Sequence, residues 1–278
     1  MKIGFTHPSA VVEYGAEIHP SVEIGPFCYI SSKAKIGPNC RLISNVTIFG
    51  DTTLGEENVI YPGACLGGGA QEHSYNPTDN ARLIIGNHNI IRENVTMHAG
   101  TLKGQTSVNG ESPQKFITYV GSYCLFMVNS HVAHDCVVEN FVTMANNAVI
   151  GGHVRVGNGV VIGGNSAVHQ FVRIGDGAMI GGVTGIAQDV IPFGMAAYGT
   201  PGKLKGLNLV GLKRNHYDEA IIKEATRAYM YLFSSKEGTF KTRVQKATTE
   251  FADNEIVQLQ IKFIEQANHS PRHLLMAE

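Results

Sequence analysis

The sequence has no tryptophan and is sparing with charge, since only 16% of its residues are Asp, Glu, Lys or Arg. Its 22 basic and 23 acidic side chains leave a net charge of −1, so no whole-molecule field favours a nucleic acid. Five cysteines, an odd number, provide no disulfide framework. No run approaches the ~18 apolar residues of a membrane span. The opening MKIGFTHPSA lacks the apolar core of a secretory leader. A soluble, cytoplasmic protein is the expectation, with a 43% hydrophobic content that can fill a proper core.

What the chain has instead is glycine, 32 residues of it, and a Val/Ile surplus through the first 190 positions. Together these suggest many short strands with tight corners. Every sixth residue from Val12 is aliphatic: Val12, Ile18, Ile24, Ile30, Ile36, Leu42, Ile48, Leu54, Ile60 and Leu66. Four positions later stands a smaller residue, as at Ala16, Cys28, Ala34, Cys40 and Ala64. The frame returns at Ile85, Ile91 and Met97, then runs from Val120 to Ile186, giving 25 hexapeptides in all. A helix repeats every 3.6 residues and a half-buried strand every two, so a period of six fits neither. It fits short strands joined by corners and stacked as a parallel β-helix, a mainly β fold of hexapeptide repeats. About eight three-sided coils at ~4.8 Å spacing would make a column roughly 40 Å long. Glycines that follow the aliphatic (Gly25, Gly37, Gly55, Gly157, Gly163, Gly175, Gly181) are expected to ease the turns.

Two polar stretches leave the frame, at about 67–84 and 99–119, and long loops in a compact repeat are more often functional than decorative. The repeat ends near Pro192, which divides the chain into a β-helix over 1–192 and a second region over 193–278. In that region a connector precedes helical periodicity at 217–234, 239–252 and 254–268, read as a small α-helical C-terminal domain.

The register sorts the chemistry-bearing residues. Cys28, Cys40, Cys124 and Cys136 fall on the small inward position and read as core. His98, His131, His134, His153 and His169 fall off both inward positions. A coil is eighteen residues, so His134 projects beside His153 and then beside His169 on one edge of the column. Such a ladder supports two chemistries. Three imidazoles can bind zinc and activate water, as in β-helix enzymes resembling γ-class carbonic anhydrases. Alternatively, one neutral His acts as a general base with Asp135 as its orienting partner. Asp135 reaches the His134 ring only around a corner or across a subunit interface, because neighbours in a strand point apart. Spacing alone leaves the two chemistries level.

The ordered motifs NSHVAHDC (129–136), MANNAVIGGHV (144–154), SAVHQFVRIG (166–175), GVTGIAQDV (182–190) and GLNLVGLKR (206–214) resemble the UDP-N-acetylglucosamine O-acyltransferase family over essentially the whole length. The resemblance implies a left-handed parallel β-helix and a homotrimer with sites between columns. It implies transfer of a 3-hydroxyacyl chain from acyl carrier protein to the 3-position of a UDP-amino sugar, at the start of lipid A biosynthesis. No metal or cofactor is implied. By motif match His134 would be the base, Asp135 its partner and the Gly152 N–H the oxyanion donor. His131, His153, His169 and Gln170 would position substrate, as would Gln71, Glu72 and His98. Asn208 and Arg214 would meet the nucleotide, and Gly182 would set acyl length, glycine there arguing for a longer chain. Lys203, Lys205, Lys213 and Arg214 form a basic cluster suited to an acidic acyl carrier protein. The chain departs from the family where a lysine usually follows the first-loop acid, offering His73 and Ser74. Val210 stands where many members have glutamate, and the second loop is unusually long. These departures surround the sugar, and an acceptor carrying a 3-amino group in place of the 3-hydroxyl is compatible with them.

Overall fold

A hexapeptide with one large and one small apolar position buries both only if the chain turns a corner after every short strand. The computed structural model does this throughout the repeat region. It describes residues 4–78, 80–101, 105–106, 114–197, 199–266 and 271–277. Strands of mostly two residues build three parallel faces, begun by Phe5–Thr6, Val11–Val12 and Glu17–Ile18. The three sheets hold 11, 9 and 8 strands among the described residues. Register is strict: Val132 pairs with Ile150, Ile150 with Val168, and Val168 with Ile186, each one coil further on. The architecture is a left-handed parallel β-helix.

The prism interior is made of the period-six residues. Ile24, Ile30, Leu42, Ile48, Leu54, Ile60 and Leu66 are all fully buried, and so are the small partners Cys28, Ala34, Cys40 and Ala64. Val12 departs from the pattern at 38% exposure, because it lies at the open N-terminal end, where few coils cover it.

The corners differ from expectation in an instructive way. The glycines after each aliphatic do not have the left-handed φ that would ease a turn. They stand where the next coil's backbone passes too close for a side chain. A Cβ on Gly25 would lie 1.7 Å from Ile43 O, and one on Gly175 would lie 2.4 Å from Pro192 N. The left-handed φ is carried mainly by other residues, among them Asn39, Asn45, Asn94, Asn129, Asn147 and Asn165, a residue type that tolerates it. Asn129, Asn147 and Asn165 link successive coils through side-chain amide bonds of 3.1 and 3.0 Å.

Both excursions leave the column at the edge between the second and third faces. The first departs after Cys65–Gly68 and returns at Arg82–Ile85; the second departs after Thr96–His98 and returns at Ile117–Val120. Residues 67–68, 82–84 and 117–119 therefore belong to strands and not to loops. Within the second excursion Gln105–Thr106 pairs antiparallel with Gln114–Lys115, and most of the remainder lies outside the described residues.

Beyond Pro192 the described residues of the connector include strands. Gly194–Ala197 continues the first face in parallel, and Lys203–Leu207 adds an antiparallel strand to it. Among the described residues four helices follow: α1 (Leu209–Arg214), α2 (Glu219–Ser234), α3 (Phe240–Glu250) and α4 (Glu255–Gln266). The short α1 is absent from the sequence-based expectation. The buried face of α2 (Ile222, Ala225, Tyr229, Leu232) follows helical spacing, and a Thr239/Thr242 capping box starts α3. Helix α4 is fastened to the third face, with Gln260 Nε2 donating to Pro192 O at 3.0 Å and the Arg173 guanidinium lying 4.3 Å over the Phe263 ring. Among the described residues no helix is long and apolar enough to cross a membrane.

Close approach and left-handed φ make separable demands. Gly25→Ala is expected to destabilise by about 3 kcal/mol or more, through a backbone clash that rotamer changes cannot relieve. Gly159→Ala, at φ +65° with nothing within 4 Å of its Cβ, should cost about 1–2 kcal/mol. Urea unfolding of both variants against the parent compares the two.

Candidate active site

Cys136 and Val132 are fully buried in the prism, so the residues between them form the corner joining His131–Val132 to Val137–Val138. Asp135 holds a left-handed φ of 59° there. That conformation folds its carboxylate back against the ring of its own neighbour, and His134 Nδ1 meets Asp135 Oδ2 at 2.8 Å. The pair is thus formed around a corner within one chain. Asp135 is 4% exposed and held from three sides. Thr101 donates its backbone N–H to Oδ1 at 2.8 Å and its hydroxyl to Oδ2 at 2.7 Å, while the Asp135 N–H donates to Thr118 Oγ1 at 2.7 Å.

An ionised carboxylate only accepts, so the neutral His134 ring carries its proton on Nδ1 and presents a lone pair at Nε2. Gly152, one coil on, clears the space in front of it: a Cβ there would lie 2.7 Å from Nε2 and 2.6 Å from Cε1. Gly152 occupies the corner slot just before a left-handed residue, His153 at φ 61°. Pro26, Pro38 and Pro62 fill the same slot before Phe27, Asn39 and Gly63, so the slot needs no ladder donor. The Gly152 N–H is therefore left out of the ladder beside the imidazole.

The other imidazoles gather around this pair. His153 meets His134 edge to face at 5.2 Å and stacks on Phe171 at 4.5 Å. Its Nε2 lies 3.7 Å from Asp135 Oδ2. His98 meets His131 edge to face at 5.0 Å, and the Thr96 hydroxyl lies 2.7 Å from His131 Nδ1. Burial drives His131 down to about 4, with His98 and His134 adding to it. Burial likewise lowers His98, helped by His134, and lowers His153 against the opposing pull of Asp135. Glu72, from the first excursion, is near enough to act on His153 as well, with Gln71 exposed beside it. Cys136 is no nucleophile, since burial pushes its thiol up to about 12.

His134, Asp135 and His153 also offer three ligand atoms within 4.8 Å of one another, the arrangement a divalent cation would need. Yet Asp135 Oδ2 already accepts from both His134 and Thr101, and its other oxygen accepts the Thr101 N–H. Those contacts describe an orienting carboxylate.

Comparison with known proteins carries the decision between these chemistries. A family profile described as UDP-N-acetylglucosamine O-acyltransferase, domain 2, matches residues 189–274. The acyl-[acyl-carrier-protein]–UDP-N-acetylglucosamine O-acyltransferase of Rhizobium johnstonii is 41% identical over 90% of this chain and 87% of its own. That of Caulobacter vibrioides is 45% identical over 82% of each. The crystal structure of UDP-N-acetylglucosamine O-acyltransferase from Moraxella catarrhalis superposes with a TM-score of 0.88 at 36% identity, over 97% of this chain and 99% of that one. The chain belongs to the UDP-N-acetylglucosamine O-acyltransferase family. Membership favours acyl transfer over zinc hydration, which spacing had left level.

As a member of this acyltransferase family, the chain divides its sequence-predicted residues among three edges. His98, His131, His134, Asp135, Gly152, His153, His169 and Gln170 all lie along the edge between the second and third faces, where both excursions emerge. Gly182 lies on the edge between the first and second faces, with Gly164 O 3.3 Å from its would-be Cβ. Asn208 caps α1, accepting from the Gly211 N–H and donating to Gly177 O at 2.9 Å, which sets it at the edge between the third and first faces. Arg214 ends the same helix, exposed. Sequence reasoning missed three residues on the imidazole edge. Thr101 and Thr118 hold Asp135, and Arg272 donates through Nε to Gln170 O at 2.9 Å while its Nη2 meets His169 Nδ1.

The depressed His131 ties stability to pH. Unfolded, its imidazole takes a proton near 6.5; folded, it resists until about 4. The stabilisation is thus present in full above pH 6.5 and is lost as pH falls towards 4, where the unfolded chain binds the extra proton. His131→Gln should flatten the fall in melting temperature between pH 6.5 and 4 relative to the parent.

Proposed function

We propose that this protein transfers a 3-hydroxyacyl chain from acyl carrier protein to the 3-position of UDP-N-acetylglucosamine, the first acylation of lipid A biosynthesis, as a cytoplasmic homotrimer without metal or cofactor. Family membership supplies the reaction class. The observation that carries the mechanism is the His134–Asp135 pair, with its free Nε2 facing the space that Gly152 leaves open.

In this mechanism the sugar hydroxyl gives its proton to His134 Nε2 as its oxygen attacks the thioester carbonyl carbon. Asp135 holds the imidazolium that results. The Gly152 N–H donates to the oxygen on which negative charge develops. Collapse of the tetrahedral adduct breaks the carbon–sulfur bond, and the imidazolium returns its proton to the departing thiolate. No acyl-enzyme intervenes, which agrees with the burial of Cys136. Holding His98, His131 and His153 uncharged keeps a second positive charge away from the base, so its lone pair remains available.

Trimer formation is supported by the distribution of residues over edges. For Asn208, Arg214 and Gly182 to meet the substrate held at the imidazole edge, neighbouring copies must bring their other edges to it. Lys203, Lys205, Lys213 and Arg214 are all exposed, as an electrostatic platform for an acidic carrier protein requires.

His134→Ala is expected to lower kcat/KM by about 10³-fold or more while the column still melts cooperatively, and substantial residual transfer would remove His134 from the role of base. Mass spectrometry of products from UDP-N-acetylglucosamine and from its 3-amino analogue, each offered with carrier proteins of several acyl lengths, reads acceptor atom and chain length together. The 3-O-acyl product with a 3-hydroxyacyl chain is the expected outcome.

A further inference from the structure

Arg272 lies more than a hundred residues after His169 and Gln170, yet it is bonded to both. Its segment, 271–277, is anchored by backbone. Asp189 N–H donates to His273 O at 2.9 Å, Leu275 N–H donates to Asp189 O at 2.8 Å, and Leu275 is buried. Asp189 is in turn fully buried, its carboxylate gripping the Arg173 guanidinium at 2.7 Å. None of these contacts uses the Arg272 side chain, which is carried to the imidazole edge and meets the ring nitrogen of His169 and the backbone oxygen of Gln170.

A guanidinium has five donors and no acceptor, and it keeps its charge at any working pH. His169 Nδ1 must therefore accept, which places the ring proton on Nε2. Protonating Nδ1 would break the bond and set two cations against each other. His134 is fixed in the opposite sense, because a carboxylate on its Nδ1 leaves a bare lone pair at Nε2. A carboxylate thus makes one imidazole on this edge an acceptor, and a guanidinium makes another a donor.

We propose that Arg272 is a positioning residue of the acyl-transfer site: it locks His169 as a neutral Nε2–H donor and fixes the Gln170 backbone, so that this corner holds an oxygen acceptor of the nucleotide sugar, a phosphate or carbonyl oxygen. The proposal rests on the reading that His169 and Gln170 touch the acceptor substrate, and the two can fail separately.

The test compares Arg272→Ala, Arg272→Lys, His169→Ala and the double variant in the full-length enzyme, with melting temperature followed alongside. Arg272→Ala should raise KM for the nucleotide sugar about tenfold or more, with kcat much less affected and melting little changed. Added guanidinium ion should restore part of the loss, and lysine should serve poorly because it lacks the fork that spans two acceptors. In the His169→Ala background, removing Arg272 should add little. Nitrogen-15 spectra of histidine-labelled enzyme, with His169 assigned through its Ala variant, should show Nδ1 unprotonated in the parent and mixed tautomers in Arg272→Ala. If His169→Ala raises KM but Arg272→Ala does not, or if the tautomer is unchanged without Arg272, the proposal is overturned and the site reading stands. If His169→Ala leaves KM unchanged, the site reading fails at this corner. A lowered melting temperature without guanidinium rescue would make Arg272 merely structural and also overturn the proposal.

Discussion

The fold depends on one requirement: the strand N–H groups of each coil have the carbonyls of the next coil as their partners, so every coil must return to the same register. That requirement fixes the eighteen-residue step seen from Val132 to Ile150 to Val168. It admits a left-handed residue at most corners and favours glycine where the next coil passes closest, as at Gly25 and Gly175. The interior then has room for one large apolar and one small side chain per face and for little else. The same corners that close the prism point Asp135 at His134 and remove the Gly152 N–H from the ladder. The geometry proposed for catalysis is therefore a by-product of coil closure at one edge.

Electrostatics at that edge are set by burial. His98, His131 and His153 are driven toward neutrality chiefly by loss of water, with neighbouring imidazoles reinforcing the effect. The carboxylate beside them is satisfied by the Thr101 N–H and hydroxyl and by His134 Nδ1. The outcome is a cluster rich in ring nitrogens and poor in positive charge. Such a surface can hydrogen-bond a polar acceptor and still accept its proton.

Much of this was legible in the sequence, and the gaps have physical causes. The column could be read from Val12 to Ile186 because the large inward position is apolar on coil after coil and writes its period directly into the chain. The imidazole edge followed from the same register, since His134 and His153 fall on adjacent coils. The meaning of Gly25 and Gly175 was misread because close approach between coils involves residues that no local pattern connects. The direction of Asp135 was hidden because a strand-like alternation says nothing about a left-handed φ. Thr101 and Arg272 were invisible for a related reason: one enters from an excursion that breaks the period, the other from a segment that follows the last helix. Lys203–Leu207 and α1 were passed over as connector because they are too short to show periodicity.

The two excursions change the step between paired residues from 18 to 31 and then to 35, and the ladder resumes each time. Closing a flexible loop of twice the length adds only about 0.6 kcal/mol. Insertions at this edge are therefore close to neutral for the column, whereas one inside a coil would shift every inward side chain above it. Variation between relatives should accordingly concentrate in the length and composition of these two segments, which emerge beside the imidazole cluster. The chain can drift there while its spine stays fixed.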